Sequence, residues 1–385
     1  EASMNALLPY VLKRGCKLCK DSAEIAHYLE NLYGASLSAG VLKKGEDQII
    51  AFDAETISDR FAANGEALLS DLTSLLLSVI FDPVIENGGF KEEYVEQEKK
   101  NAIDRIESVI NDKKTYAQLR CMQEMCKGEP IEVNKLGTAE GISKITAAGL
   151  YDYYRKMISE SAIDIFVCGE GDIEKLAEKI KQTKLHFERA EIPKTTLLKK
   201  DTPVNNITEK MDITQGKLCI GFRTNIKGTD NDFTALVVAN SVFGSGAHSK
   251  LFNNVREKLS LCYYAASSLD RFKGLMLVNA GIEFKNFQKA YDEILVQLEE
   301  VKKGNISDFE IEASISALVN SYQSAYDDPR YMQSIYLGEI IAGSDYSVAD
   351  YIKMIKDVTK EDVVRAINKV ELDTVYFLTG KGEEK

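Results

Sequence analysis

Arg256 and the pair Tyr263 and Tyr264 stand close together in the stretch NNVREKLSLCYYAASS, residues 253–268. Arginine presents a planar fork of N–H donors that fits a carboxylate or a peptide carbonyl. A tyrosine hydroxyl can donate to a backbone carbonyl. Together the two could anchor one end of an extended peptide. A surface arginine–glutamate pair beside a buried tyrosine would account for the same residue types. Just upstream, SVFGSGAHSKLF carries Gly244 and Gly246. These glycines permit unusual dihedrals and close backbone approach, either in a turn that admits another chain or in a plain helix C-cap. The stretch is no phosphate loop, because it follows a helical segment and lacks the Gly-Lys-Ser/Thr ending.

Other chemistry-bearing residues are sparser. Cys16 and Cys19 form a Cys-x-x-Cys pair, and Cys121 and Cys126 stand further apart. Thiols so spaced can bind zinc or cycle through a disulfide, but a closed zinc site needs two more ligands, and buried cysteines account for both pairs. The three histidines, His27, His186 and His248, are scattered and none has a second histidine at i+4. His248 lies close to the peptide-anchoring stretch. The acidic run EEYVEQEKK reads as a solvated helix face, and Tyr151, Tyr153 and Tyr154 read as packing on a helix.

The elements that must position these residues repeat. In the first half a helix over 21–32 precedes the strand DQIIAFDAETISD. Helices follow over 61–80 and 90–110, then at NDKKTYAQL and ITAAGLYDYYRKM, and the half closes on the strand AIDIFVCG. The second half has a helix over 232–243 and the strand GLMLVNAGIEF. Then come the helix NFQKAYDEILVQLEEV, a helix opened by Ser307 as N-cap, the segment DDPRYMQSIYLGEII, the helix VTKEDVVRAINKV and the strand DTVYFLTGKG. The closing strands end at Gly169 and Gly380. This order predicts an α+β chain of two domains, each an antiparallel sheet with helices packed on it. Residues 1–188 form the first domain, 206–385 the second, and 189–205 a polar linker with Pro193 and Pro203. ITEKMDITQGKLCIGFRT, strand material that opens the second half, has no counterpart before the first helix. The chain is therefore expected to begin inside its first domain.

The two halves differ at the stretch that opened this section. LENLYGASLSAG in the first matches VREKLSLCYYAASS in the second without an arginine or tyrosine at the corresponding positions. One copy of the fold does without them, which favours a functional role for Arg256 and Tyr263. The formal net charge of −12 over 385 residues disfavours nucleic acid and anionic membrane as partners. The longest apolar run is too short to span a bilayer. Seven cysteines suggest no disulfide framework and an intracellular, cytoplasmic protein with reduced thiols.

GSGAHSKLFNNVREKLSLCYYAASS resembles the second-half signature of the insulinase-like (pitrilysin) zinc metallopeptidases. NALLPYVLKRG followed by IAHYLENLYGASLSAG resembles the first-half signature of a bacterial branch similar to mitochondrial processing peptidase. The resemblance covers nearly the whole chain. It implies two halves in a clam-shell arrangement, with Arg256 and Tyr263 as the pair that holds substrate backbone; Tyr264 is the weaker candidate for the tyrosine. It also implies an inverted zinc motif, His-x-x-Glu-His, whose i, i+3 and i+4 residues share a helix face, with a later glutamate as third ligand. Here those positions hold Ala6, Pro9 and Tyr10, and Arg105 stands where the last ligand belongs; Glu98 keeps an upstream acidic position. The resemblance therefore implies a non-catalytic, peptide-binding subunit with no zinc of its own. Its partner would be a homologous zinc-bearing chain in a heterodimer; a homodimeric, structural or scaffolding homologue is the alternative. Whether the chain is an enzyme by itself stays open at this level.

Overall fold

A computed structural model describes residues 1–183, 195–197 and 203–381. His186, Pro193 and most of the expected linker lie outside the described residues. In chain order the helices α1 (Ala2–Leu12) and α2 (Ser22–Asn31) lead into the hairpin β1 (Ser36–Lys44) and β2 (Asp47–Glu55). Then come α3 (Leu68–Phe81), a short hairpin β3 (Ile85–Glu86) and β4 (Gly89–Phe90), α4 (Glu92–Ser108) and α5 (Lys113–Met125). The helices α6 (Ala139–Ser143), α7 (Ala147–Glu160) and α8 (Ile173–Gln182) follow. The remaining chain forms β5 (Asn205–Met211), β6 (Gly216–Arg223), α9 (Phe233–Gly244), a π-helix (Leu251–Lys258), β7 (Cys262–Asp270) and β8 (Leu275–Ile282). It ends with α10 (Phe287–Lys302), α11 (Asp308–Ser324), α12 (Pro329–Ala342), α13 (Val348–Lys356), α14 (Lys360–Ile367) and β9 (Glu371–Gly380).

The chain divides into two compact units. One comprises Glu1–Ser108 and Val133–Pro193, the other Val109–Glu132 and Lys194–Lys385. In the first, α1 buries Leu7, Leu8, Val11 and Leu12 in a core shared with Leu75 and Val79 of α3, Val95 and Ala102 of α4, and Leu150 and Tyr154 of α7. The antiparallel β1–β2 hairpin turns at Gly45, whose φ of +59° lies in the left-handed region. The helix expected from residue 61 starts only at Leu68, because Asn64-Gly65 makes a turn with Gly65 at φ +73°. The strand expected at AIDIFVCG is not formed among the described residues: 162–168 join no ladder there, and Ile165 and Val167 are exposed.

In the second unit five strands run in the order β5-β9-β6-β8-β7. The β5–β9 pair is parallel and the other pairs are antiparallel. Every residue of β8 is buried, as expected of a strand that is apolar but for Asn279 and covered on both faces. Met276, Val278, Ala280 and Ile282 face a layer built from α9, α10 and α14, while Leu275 and Leu277 face α5. Helix α5 is polar overall but presents Ala117, Cys121 and Met125, spaced four apart, to Cys219, Tyr376 and Leu378 of the sheet. Helix α11 starts with a capping box between Ser307 and Glu310, as the sequence suggested for Ser307.

Candidate functional site

The corner between the π-helix and β7 carries Arg256 and Tyr263. Leu251 and Val255 anchor the helix in the core, and the Asn254 side-chain amide donates to Gln297 Oε1 of α10 at 2.7 Å. The helix ends in wide turns: Leu259 N–H reaches Asn254 O at 3.1 Å, and Leu261 N–H reaches Val255 O at 3.0 Å. Ser260 takes a left-handed φ of +50° to turn the chain into β7. The last helical turn is thus fastened to the first residues of the strand. π-type turns of this kind concentrate at functional sites.

Arg256 lies with its guanidinium 4.7 Å from the Phe252 ring centroid, and its Nε is 3.5 Å from Glu257 Oε1. Its side chain is 41% exposed. Tyr263 is 61% exposed. The ladder shows why: Cys262 pairs with Ile282 and Tyr264 with Gly281, leaving Tyr263 as the extra residue of a β-bulge. A bulge re-aims one side chain. Here it turns Tyr263 outward while Cys262, Ala265 and Ser267 face the core. Strand β7 is also the last in its sheet, so its outer edge is unpaired among the described residues. Tyr264 behaves otherwise. Its ring lies over Gly281, where an added Cβ would sit 2.4 Å from Cε1, and burial pushes its hydroxyl up to about 12. Of the two tyrosines, Tyr263 is the one open to a ligand. Gly244 packs against Ser267 and Leu251, and Gly246 has φ +114°, so the glycine turn brings the end of α9 tightly onto β7 and the π-helix. His248 in that turn bonds through Nε2 to Ser241 Oγ at 3.0 Å. Burial holds its imidazole below the ordinary value, with the charge of Glu310 opposing.

In the first unit, Ala6, Pro9 and Tyr10 lie on α1 and Arg105 on α4. Two of the four meet: the Arg105 guanidinium lies 3.7 Å from the Tyr10 ring centroid, a close cation–π contact. Glu98, 6% exposed, receives Arg14 Nε at 2.7 Å and Nη2 at 2.6 Å, and Arg105 Nη2 approaches it at 3.9 Å. These side chains do not fit a divalent cation. Ala6 and Pro9 offer no donor atom, Tyr10 lies under a guanidinium, and the one carboxylate already faces two arginines. Among the described residues no group of three or more His, Cys, Asp and Glu is placed to hold a metal.

The remaining sequence candidates are structural. Cys16 and Cys19 are buried in a tight turn, and burial drives the Cys19 thiol up to about 11. The Cys121 thiol donates a hydrogen bond to Cys219 O at 3.6 Å, and burial holds Cys126 up at about 12 against the pull of Arg223. His27 pairs with Glu30 on the surface. Tyr154 donates to Ile80 O at 2.8 Å, Tyr153 to Asn5 Oδ1 at 2.7 Å, and Tyr151 packs on Phe90.

The bulge itself escapes a reading of residue types, though its trace is there: core-facing Cys262, Ala265 and Ser267 break strict alternation by one residue. A buried charge network was also missed. Arg223 binds Glu129 Oε1 at 2.7 Å and Asp373 Oδ2 at 3.1 Å, and Lys273 binds Glu129 Oε2 at 2.8 Å. It fastens the end of the α5 segment to the sheet.

The pattern of the peptidase M16 inactive domain matches residues 144–318. A probable inactive metalloprotease of Bacillus subtilis, YmfF, is 37% identical over 381 residues, 99% of this chain and 89% of that relative. The chain belongs to the M16 peptidase family. This is the insulinase-like family that the sequence resembles, and the chain is an inactive homologue within it. A conserved protein from Enterococcus faecalis V583 has the same M16 fold, with a TM-score of 0.89 and 30% identity over 100% of this chain and 91% of that one. A peptidase M16 inactive domain from Pseudomonas fluorescens shares the fold at a TM-score of 0.79 and 19% identity, covering 100% of this chain and 90% of that one. No helix among the described residues is long and apolar enough to cross a membrane.

Proposed function

We propose that this M16 homologue is the substrate-binding, non-catalytic member of a peptidase pair. Arg256 and Tyr263 hold the backbone of an extended peptide, and a homologous chain with an intact His-x-x-Glu-His supplies the zinc. Residues 1–188 are then the half that has lost its metal ligands, and 206–385 the half that binds peptide. The observation that carries this reading is the bulge. It costs the sheet a ladder pair and its benefit is an outward tyrosine, placed at the corner where the partly exposed Arg256 also stands. The free edge of β7 offers main-chain groups to an incoming strand. The thiols are unpaired and all but Cys168 are buried, which supports a reducing, cytoplasmic setting.

The test is to purify this chain with an M16 chain that bears the zinc motif and to follow cleavage of a quenched fluorescent peptide. Arg256→Ala should lower kcat/KM about tenfold to a hundredfold, the worth of a charge-assisted hydrogen bond, while the pair still co-elutes. Full turnover by the Arg256→Ala pair would refute the anchoring role. A chain that forms only homodimers and leaves cleavage by the zinc-bearing chain unaltered would make it a scaffold.

A further inference from the structure

Behind the Tyr263 bulge, on the α5 face of the sheet, three residues converge. Lys217, Gly281 and Tyr264 lie in one row across β6, β8 and β7. Because residue 281 has no side chain, the Tyr264 ring can lie across β8 towards Lys217. The Lys217 ammonium is 5.7 Å from the ring centroid, and the Lys114 ammonium, from the first turn of α5, is 4.9 Å from it.

Two ammonium groups therefore share one aromatic ring, and neither forms an ion pair with a carboxylate among the described residues. Lys217 donates to Gln215 Oε1, a neutral partner. The charge within reach is that of Asp112, whose oxygens are engaged by Lys114 N–H, Thr115 N–H and the Thr115 hydroxyl as the cap of α5. Burial lowers the Lys217 pKa and the charge of Lys114 adds to that, with Asp112 opposing. A lysine half-buried in the third strand of a sheet, next to a second cation, thus has for its nearby counter-charge a carboxylate already engaged as a helix cap, with which it forms no direct ion pair.

We infer that Lys114 and Lys217, with Tyr264 as the floor between them, form a subsite for a carboxylate of the bound peptide. The inference rests on the peptide-binding reading above and names its preference: substrates with an acidic side chain, or a free C-terminus, placed to reach the α5 face from the edge of β7. Both sources present the same group, and the two ammonium ions would supply its hydrogen-bond donors.

The experiment measures, by fluorescence anisotropy, binding of a fluorescein-labelled extended peptide that carries one glutamate and a free C-terminus. Two companions have the glutamate replaced by glutamine or the C-terminus amidated. One of these changes should weaken binding to the wild-type chain about tenfold, and the one that responds identifies the source. In Lys114→Gln and Lys217→Gln the same change should matter less than about twofold, as a double-mutant cycle requires. If the three peptides bind alike while Arg256→Ala abolishes binding, the subsite is refuted and the Arg256–Tyr263 reading stands. If no peptide binds, that reading fails, and ¹³Cε-lysine NMR with glutarate decides the subsite separately. A Lys217 resonance that moves on titration, and does so less in Lys114→Gln, supports it; an unmoved resonance overturns it.

Discussion

Glu129 holds two buried cations at once, and its removal has a predictable cost. Its carboxylate binds Arg223 at 2.7 Å and Lys273 at 2.8 Å, and the Lys273 side chain is 1% exposed. Glu129→Gln keeps the volume and removes the charge. Arg223 retains Asp373 and the Met125 carbonyl, and Lys273 retains the Thr196 carbonyl, but both buried cations lose the carboxylate they share. Breaking a buried pair from one side costs about 3–5 kcal/mol. With a urea dependence of about 2–3 kcal/mol/M, the unfolding midpoint should fall by about 1–2.5 M. The chain contains no tryptophan, so far-UV circular dichroism follows the transition, and hydrogen exchange of α5 amides locates the loss. The pH dependence follows from the same contacts. Burial acts to raise the Glu129 carboxyl, but the hydrogen bonds and charges of Arg223 and Lys273 outweigh it and hold the group below its ordinary 4.5. The carboxylate's stabilisation is thus complete above that value and disappears as pH falls through the lower folded pKa. The wild-type advantage over Glu129→Gln should shrink in the same window. A loss below about 1 kcal/mol at neutral pH would refute the reasoning, since it would show the two cations to be compensated without Glu129.

Other perturbations test other elements. Burial keeps the His248 imidazole below its ordinary 6.5 against the pull of Glu310, itself bound to Lys250, so the folded state resists protonation. Stability should decline as pH falls through 6.5, and His248→Gln should flatten that part of a urea-midpoint profile; an unchanged profile would exclude the histidine. Gly281→Ala would place a methyl group 2.4 Å from the Tyr264 ring and should cost about 1–3 kcal/mol in chemical unfolding while displacing the ring from Lys217. Ser307→Ala removes the capping box of α11 and should cost about 1 kcal/mol, read from the same denaturation curve.

Local chemistry made much of this legible in the sequence. Ser307 three residues before Glu310 announces a helix start, and the largely apolar GLMLVNAGIEF announces a strand. Arg256 and Tyr263 stood out because the other half of the chain manages without them. What was not legible depends on partners distant in the chain. The segment at 162–168 is a short apolar run broken by Asp164, as many strands are, but a ladder needs a neighbour, and that segment pairs with none among the described residues. Arg223 and Asp373 lie 150 residues apart, and in sequence each looks like an ordinary solvated charge. A π-helix shifts its hydrogen bonds by one residue and leaves no mark in composition. The bulge left a faint one, in the spacing of three small core-facing side chains.

The path of the chain has a consequence for how the protein is made. Residues 109–132 belong to the unit whose sheet is built from residues 205–380, so the ribosome delivers α5 long before the strands it covers. Until β6, β8 and β9 emerge, Ala117, Cys121 and Met125 have no surface to rest on. The same sheet, expressed from residue 194 onward, would present Cys219, Leu277, Tyr376 and Leu378 bare to water. Neither stretch is a self-sufficient module, and closure of the second unit must wait for nearly the whole polypeptide. Such late, long-range pairing folds slowly and leaves apolar surface exposed in the interval. Synthesis of this chain should therefore depend on chaperones, and its halves should not be exchangeable as separate cassettes.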